Sequence, residues 1–316
     1  MRVLVICFDN VGDVVFSSLV PMSIKSNFPN SKVDYLCKPY GEVVANLIPS
    51  VDNVLSIKPY WAKNKSDKGK FIDFLKLFLN LNKNNYDIVI NVSKSWRPSL
   101  FSRLIRVKEV IGFKSKKNNL FLTKSVTGYS KNIPVMDSIS SLLTLIDIEV
   151  IEPKYSLDID FSRKLPEKYI VLHPFAGDIS RCAPLKLWLK LAQSLKDKLK
   201  IVWFGTPKEL QLLKDRLGKS VSDHYFSDTL SDNNFLDAIA LLPNAELFIG
   251  HDSGPLHIAA SCKVPVLGLF LPGEPNRTFP QGGGISDIIY KEEPSLLVYQ
   301  EFQDKVFELL EVTGSK

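Results

Sequence analysis

A repeated unit in the sequence limits the possible folds: an apolar run of strand length, a short turn, and then a helical pattern. Residues 2–8 are apolar after Arg2, and the turn at residues 9–13 leads into a helical stretch at 14–28. A continuous apolar run predicts a parallel strand that is buried on both faces. Strands that alternate with helices predict βαβ units in an open parallel sheet.

The same unit recurs through the first half of the chain. We predict strands at residues 33–37, 54–57, 86–92 and 109–113, and helices at 71–81 and 137–145. Helix 71–81 carries apolar side chains at helical spacing, which predicts a core-facing helix. These side chains are Phe71, Phe74, Leu75, Phe78 and Leu81.

The pattern restarts after residues 152–166, an extended, polar stretch with prolines near both ends that predicts the connection between two domains. Strands are expected at 168–173, 200–204, 246–249 and 264–270, and helices at 184–195, 207–217, 234–242, 254–261 and 296–311. A chain of 316 residues has room for two domains of about 150 residues. We therefore predict two doubly wound α/β domains, 1–155 and 156–316, facing across a cleft, with the last helix packing back on the first domain.

Composition excludes several classes of protein. The chain is 45% hydrophobic and 23% charged, as soluble globular proteins are. Its four cysteines contain no C-x-x-C pair, which predicts neither a disulfide framework nor a cysteine zinc site and fits a reducing cytosol. No apolar run approaches the ~20 residues that span a bilayer. Asp9 and Asp13 interrupt the N-terminal apolar stretch, unlike in a signal peptide. We expect a soluble cytoplasmic protein.

The charge is unevenly placed. Residues 58–131 contain 17 Lys and Arg against four acidic residues, although the whole chain carries a net charge of only +6. A basic surface attracts a phosphorylated glycan, an anionic membrane or a nucleic acid. The plain alternative is a solvated lysine-rich face. Nucleic acid is disfavoured as a partner, because no helix-turn-helix, zinc-finger spacing or aromatic RNA-binding signature accompanies the charge.

Gly12 and Asp13 follow the first predicted strand. Glycine there permits a close backbone approach or a positive φ, and Asp13 lies beside a helix N-terminus at the carboxyl edge of the sheet. The carboxylate is either a helix cap or a general base for a substrate hydroxyl. Neither a P-loop nor a G-x-G-x-x-G motif is present, so nucleotide binding by the first domain is disfavoured.

Residues 250–257 join a buried strand to a small-residue helix. Ser253, Gly254 and the free N–H groups of the helix start predict an anion site, and Asp252 is a candidate acceptor for sugar hydroxyls. His257 is equally well read as a buried core imidazole or as a ligand contact. A metal site that includes His251 is disfavoured, because adjacent strand residues point to opposite faces.

Two further junctions carry candidate residues. Arg181, near the end of the loop at 173–184, can clamp a diphosphate through its planar guanidinium or pair at the surface with Asp178. Glu209 follows the turn that begins at Gly205, where an acid can hold the hydroxyls of a ribose. Complementarity to the helix dipole explains Glu209 almost as well.

In their joint order these motifs resemble glycosyltransferase family nine, the lipopolysaccharide heptosyltransferase family. The resemblance covers essentially the whole chain, and its most diagnostic motif is Asp252-Ser-Gly-Pro-x-His257. The other matching positions are Gly12-Asp13 with Pro21, Phe28-Pro29, Tyr86-Asp-Ile-Val-Ile, Ile111-Gly-Phe, His173-Pro-x-Ala, Pro184 with Trp188, and Gly205-x-x-x-Glu209. Three positions depart from the family pattern, at Phe175, at Ala183 and at Leu271-Pro-Gly273.

The resemblance implies a two-domain GT-B fold and an inverting, metal-independent sugar transfer that needs no cofactor. It assigns the acceptor to the N-terminal domain and the nucleotide sugar, commonly ADP-heptose, to the C-terminal domain. By resemblance, Asp13 is the base and Arg181 neutralises the leaving diphosphate, while Glu209 takes the ribose. The remaining donor contacts are Gly177, Gly205, Asp252, Ser253, Gly254 and His257, and the acceptor contacts are Gly12, Lys94 and Arg97.

The sequence thus predicts heptosyl transfer onto a lipopolysaccharide core or a related bacterial surface glycan. The expected acceptor is acidic and lipid-linked, and the basic N-terminal half suits a peripheral contact with an anionic membrane at the inner face of the cytoplasmic membrane. Two alternatives stay open at this point: a nucleotide-sugar epimerase of the same fold, and a catalytically silent homologue that binds a nucleotide sugar or a glycan.

Overall fold

The computed structural model describes residues 1–62, 68–93, 95–127, 133–150, 154–159, 163–229 and 232–314. The chain forms two compact units, Met1–Asp158 and Ile159–Lys316. The sequence placed the division between residues 155 and 156. None of the helices in the described ranges is long and apolar enough to cross a membrane.

The first unit is built on a parallel sheet of six strands in the order β3-β2-β1-β4-β5-β6. The strands are β1 (Arg2–Cys7), β2 (Lys32–Cys37), β3 (Asn53–Ser56), β4 (Ile88–Asn91), β5 (Glu109–Lys114) and β6 (Lys124–Thr127). The helices are α1 (Val11–Ser17), α2 (Leu19–Asn27), α3 (Pro39–Ala45), α4 (Phe71–Lys83), α5 (Trp96–Leu104) and α6 (Val135–Thr144). The central strands β1 and β4 are almost entirely buried, as the apolar runs predicted.

The second unit repeats this topology with the strand order β12-β11-β10-β7-β8-β9, again all parallel. The strands are β7 (Tyr169–His173), β8 (Lys200–Gly205), β9 (His224–Asp228), β10 (Leu247–His251), β11 (Val266–Phe270) and β12 (Ser286–Tyr290). The helices are α7 (Leu185–Leu195), α8 (Pro207–Leu217), α9 (Asp232–Ile239), α10 (Gly254–Ser261), α11 (Pro275–Thr278) and α12 (Tyr299–Gly314). Both units therefore have the Rossmann-like order, which confirms the α/β fold class.

The helix predicted over residues 14–28 is two helices. α1 ends at Ser17 and α2 begins at Leu19. Pro21 supplies the physical reason, because it has no N–H to donate and its ring clashes with the carbonyl four residues back, which is that of Ser17.

The expectation that α4 faces the core with all five apolar side chains is wrong. Phe74 and Leu81 are buried, but Phe71 is 64% exposed and Leu75 is 40% exposed. Apolar side chains cover more of the circumference of α4 than packs against the core, so some of them face outward.

The last helix, α12, belongs to the core of the second unit. Phe302, Val306 and Leu309 on its inner face are buried in the same cluster as Trp188 of α7. The rings of Trp188 and Phe302 lie 5.3 Å apart in an edge-to-face arrangement. The sequence led us to expect this helix to pack on the first domain. Its buried face packs instead in the core of the second unit.

We predict that Phe302→Ala destabilises the protein by about 3–5 kcal/mol, the usual cost of emptying a buried aromatic site. Val312→Ala is the matched control on the same helix, because Val312 is half exposed and its loss is expected to cost less than about 0.5 kcal/mol. Chemical denaturation of both variants measures the difference. Equal small losses would show that α12 is not part of the core.

Candidate functional site

The topology brings most of the candidate residues to one place in each sheet. A doubly wound sheet binds ligands beside the carboxyl ends of the two strands at which the strand order reverses. In the first unit these strands are β1 and β4, followed by the turn that carries Asp13 and by the start of α5. In the second unit they are β7 and β10, followed by the loops that carry Arg181 and Asp252.

Asp13 lies in the first turn of α1 and is partly exposed. Its Oδ2 accepts the backbone N–H of Asn10 at 3.0 Å, which is a capping interaction. Its Oδ1 makes no hydrogen bond with any described residue. One oxygen is thus fixed by the helix start while the other stays available for a proton, so capping does not preclude a base.

Hydrogen bonds from neighbouring elements hold the turn that carries Asp13. The N–H of Phe8 donates to Ser93 Oγ at 2.7 Å and links the ends of β1 and β4. The hydroxyl of Tyr40 donates to the carbonyl of Asp9 at 2.8 Å. Gly12 is the second residue of α1 and does not have a positive φ. A left-handed backbone, one of the two reasons considered for a glycine at this position, is therefore not the explanation.

Of the two basic residues predicted to meet the acceptor, the structure describes one. Arg97 is exposed in the first turn of α5, and its guanidinium carbon lies 5.1 Å from the centre of the Trp96 ring. Because α5 begins just after β4, Arg97 lies at the same edge of the sheet as Asp13. Lys94 lies outside the described residues.

In the second unit Arg181 is held by two acceptors. Its Nη2 donates to Asp252 Oδ2 at 3.1 Å, and its Nε donates to the carbonyl of Pro272 at 3.0 Å. The surface pairing with Asp178 is not found; that carboxylate accepts the N–H and the hydroxyl of Ser180, at 3.0 and 2.7 Å. Arg181 is therefore oriented by the β10 junction, with further N–H groups left for an anion.

Asp252 joins two basic side chains. Its Oδ1 lies 3.4 Å from Nε2 of His257, whose side chain is only 3% exposed. Burial raises the pKa of Asp252, but the hydrogen bond from His257 and the charges of His257 and Arg181 outweigh burial and lower it. The carboxylate is thus ionised and holds the guanidinium in place.

His251 holds the same loop at a second point, a role that sequence reasoning missed. Its Nε2 accepts the N–H of Ala183 at 3.2 Å, and its ring lies 5.5 Å from that of Trp188. His251 and Asp252 point in different directions, as adjacent strand residues do, yet both anchor the loop around Arg181. Burial lowers the pKa of His251 to about 4, so the ring is a neutral acceptor at neutral pH.

Ser253 is the N-cap of α10, and its hydroxyl donates to the carbonyl of His251 at 3.0 Å. The unpaired N–H groups of a helix start and the helix dipole attract an anion. Gly254 is the first residue of α10 and lies between this cap and Pro255. The loop after β10 thus supplies a positive helix end, and the loop after β7 supplies the Arg181 guanidinium. Both loops lie at the switch point of the second sheet, which is the place where its strand order reverses.

Glu209 caps α8. Its Oε2 accepts both the N–H and the hydroxyl of Thr206, each at 2.8 Å. Oε1 makes no hydrogen bond with a described residue and remains open to a ligand. A Cβ on Gly205 would lie 3.3 Å from the Phe175 ring, so this glycine admits the ring beside the start of α8. Gly177, by contrast, is exposed, and a Cβ there would meet no atom within 4 Å.

Two Rossmann-like units in one chain are the architecture of the GT-B fold, and in the second unit the start of α10 and the oriented Arg181 are candidates for an anion site. The family model of glycosyltransferase family 9 (heptosyltransferase) matches residues 74–296. The chain belongs to this family and is a glycosyltransferase.

Three similar proteins illustrate the match. Lipopolysaccharide heptosyltransferase 3 of Escherichia coli K12 is 24% identical over 279 residues, covering 82% of this chain and 79% of the relative. The glycosyl transferase family 9 structure from Veillonella parvula superposes with a TM-score of 0.82 at 18% identity, covering 98% and 97% of the two chains. The E. coli heptosyltransferase WaaC with ADP superposes with a TM-score of 0.81 at 16% identity, covering 98% and 100%.

We predict that neutral His251 makes stability pH-dependent. Its pKa in the folded state, about 4, lies below the usual 6.5, so the unfolded chain binds the proton first. Its contribution is therefore complete above pH 6.5 and is lost as the pH falls toward 4. Between pH 7 and pH 5 the loss is about 2 kcal/mol.

The variant His251→Gln tests this assignment, because its side-chain oxygen still accepts the Ala183 N–H but does not titrate. Denaturation at pH 7 and pH 5 is expected to show a smaller loss for the variant, by about 2 kcal/mol. His173 remains in both proteins, and its pKa is lowered to about 3 mainly by burial and in smaller part by His251. An identical pH dependence in wild type and variant would contradict the prediction.

Proposed function

We propose that the protein transfers heptose from ADP-heptose to the core of lipopolysaccharide or to a related bacterial surface glycan, with inversion and without a metal ion. The observation that carries the proposal is the carboxylate of Asp13, one oxygen held by the helix start and the other open at the switch point of the first sheet. The heptosyltransferase names of the relatives support the sugar, and the ADP bound by WaaC supports the adenine nucleotide.

The proposed reaction is a single displacement. The open oxygen of Asp13 takes the proton of the acceptor hydroxyl, and the hydroxyl oxygen forms a bond to the anomeric carbon of the donor. The bond from that carbon to the diphosphate oxygen breaks, and its electron pair leaves with the diphosphate. Attack opposite the leaving group inverts the configuration at the anomeric carbon.

Arg181 and the start of α10 meet the charge that develops on the diphosphate. Electrostatic groups fixed in advance stabilise such a charge without reorganising during the reaction. Arg181 is fixed in this sense by Asp252 and by the Pro272 carbonyl. Asp252 retains lone pairs with which to accept a sugar hydroxyl while it holds the guanidinium.

The rest of the donor site follows from the same loops. The open Oε1 of Glu209 is assigned to the ribose hydroxyls, with Oε2 retained by the helix cap. The other proposed donor contacts are Gly177, Gly205, Ser253, Gly254 and His257. The proposed acceptor contacts are Gly12, Lys94 and Arg97, and the first unit is the acceptor-binding domain.

The proposed setting is the cytoplasm, at the inner face of the cytoplasmic membrane. The acceptor is an acidic, lipid-linked glycan, and the excess of Lys and Arg over residues 58–131 supports contact with it and with an anionic membrane surface. Nucleic acid is not a proposed partner.

We predict that Asp13→Asn lowers turnover about 10²–10⁴-fold, the usual contribution of a general base, and leaves the affinity for ADP unchanged. Asparagine still accepts the Asn10 N–H, so the helix cap is kept. Asp137→Asn is the matched control, because Asp137 is an exposed acid in the first turn of α6. Turnover of the Asp13→Asn variant within a few-fold of wild type would show that Asp13 only caps the helix and is not the base. Release of an epimerised sugar without acceptor would identify an epimerase instead.

We predict that calorimetry finds tighter binding of ADP than of UDP, and that Arg181→Ala and Glu209→Ala both weaken ADP binding. Losing a hydrogen bond to a charged group costs about 1.5–3 kcal/mol, or roughly 10–150-fold in affinity.

Turnover of Arg181→Ala is expected to fall about 10²–10³-fold, because a group that stabilises the charge on the leaving diphosphate is lost. Lys186→Ala removes an exposed cation from α7 and serves as the control. Unchanged affinity in both variants would remove these residues from the donor site.

A further inference from the structure

A pocket of about 350 Å³ lies in the first unit between α4, α5 and the turn that contains Tyr60 and Trp61. Its walls are largely apolar, and Arg97 is the one charged residue among the described residues that line it. A sugar site needs several hydrogen-bonding groups, and this lining offers few. The pocket is at the small end of the range of ligand sites, about 300–1,000 Å³, and suits a hydrocarbon group.

Aromatic rings make the pocket wall rigid. The ring of Phe74 lies 4.8 Å from Trp61, 5.4 Å from Tyr60 and 4.6 Å from Phe101, in each case near edge-to-face. Such pairs add stabilisation beyond the area they bury. The cavity is therefore built by interlocked side chains rather than left by a loose surface.

The wall of the pocket adjoins the turn that carries Asp13. Phe8, the first residue after β1, lies 5.9 Å from the Trp61 ring and 6.4 Å from the Phe74 ring. Its backbone N–H is bonded to Ser93 at the end of β4. The pocket thus lies at the carboxyl edge of the first sheet, where the acceptor site is proposed.

An apolar strip runs outward from the pocket. Phe71, Leu75 and Leu104 line the pocket and are also 64%, 40% and 58% exposed. Ile72 and Leu79 continue the strip along α4, at 51% and 55% exposed. Because residues that line the pocket are themselves exposed, the pocket is open to a ligand from solution.

Charge indicates which partner fits. Arg97 lines the pocket, and the exposed Lys70 and Lys76 flank the strip on α4. They belong to the segment of the chain with the greatest excess of basic residues. An apolar cavity beside cations is complementary to an amphiphile that joins a hydrocarbon chain to an anionic head.

We infer that this pocket holds an acyl chain of the lipid-linked acceptor, with the anionic head of the lipid against Arg97. The inference rests on the proposed function for the identity of the acceptor. It adds that the enzyme binds the lipid part of its acceptor directly, beside the base, and not the glycan alone.

The first test uses the intact protein and a series of alkyl phosphates of increasing chain length, each below its micelle concentration. Trp61 and Trp96 line the pocket, whereas Trp188 and Trp203 are fully buried, so a change in tryptophan emission reports on the pocket. Affinity is expected to rise about fourfold for each fully buried methylene and then to level off when the pocket is full. No binding, or a rise without a plateau, would overturn the inference.

The second test compares Leu75→Glu with Leu79→Glu. Both residues are exposed on α4, so both variants are expected to fold, but only Leu75 lines the pocket. The measured quantity is the ratio of kcat/KM for intact to deacylated heptose-deficient lipopolysaccharide. We expect Leu75→Glu to lower this ratio at least tenfold and Leu79→Glu to leave it unchanged.

The outcomes separate the pocket from its alternatives. Equal losses in both variants would mean that α4 contacts a bilayer surface or another protein, and no loss in either would mean that the pocket is unused. Both results overturn the inference while leaving sugar transfer intact. If neither acceptor is turned over, the proposed function fails, and the alkyl phosphate series still decides whether the pocket takes a chain.

Discussion

The reversal of strand order within each sheet fixes where the candidate sites lie. In the first unit it falls between β1 and β4, and in the second between β7 and β10. Helices that follow these neighbouring strands leave toward opposite faces, so the turns at their carboxyl ends stay uncovered. Every described residue that is proposed to bind the donor or to act in sugar transfer lies in or next to such a turn, or after the adjacent strand β8. The buried strands behind these turns supply the rigid support.

Helix capping and the proposed chemistry share the same side chains in this protein. Asp13 and Glu209 each give one carboxylate oxygen to the start of their own helix and keep the other open. A carboxylate that is already hydrogen-bonded loses little freedom when it meets a substrate, because its orientation is set in advance. The structural and the functional interpretations of these residues are therefore compatible.

The second site is held together by β10. Two consecutive residues at its end, His251 and Asp252, anchor the loop around Arg181 through a backbone N–H and a guanidinium. His257 on α10 contacts the carboxylate of Asp252 through its Nε2 atom. A positive group bound in this way would need no reorganisation when a diphosphate departs, as the proposed sugar transfer requires.

Local sequence patterns predicted the fold class, the central strands and the order of the motifs, because continuous apolar runs and the turns after them are visible without tertiary contacts. It missed β6, β9 and β12, which are edge strands with mixed polar and apolar residues and so lack such a run. It also treated α4 as a core helix, since periodicity shows that a face is apolar but not what covers it. The pairing of Arg181 with Asp252 instead of Asp178, and the hydrogen bond from Ala183 to His251, became apparent from the folded chain alone. These contacts join residues about 70 positions apart, and they arise because parallel pairing of β7 with β10 brings two distant loops to one edge.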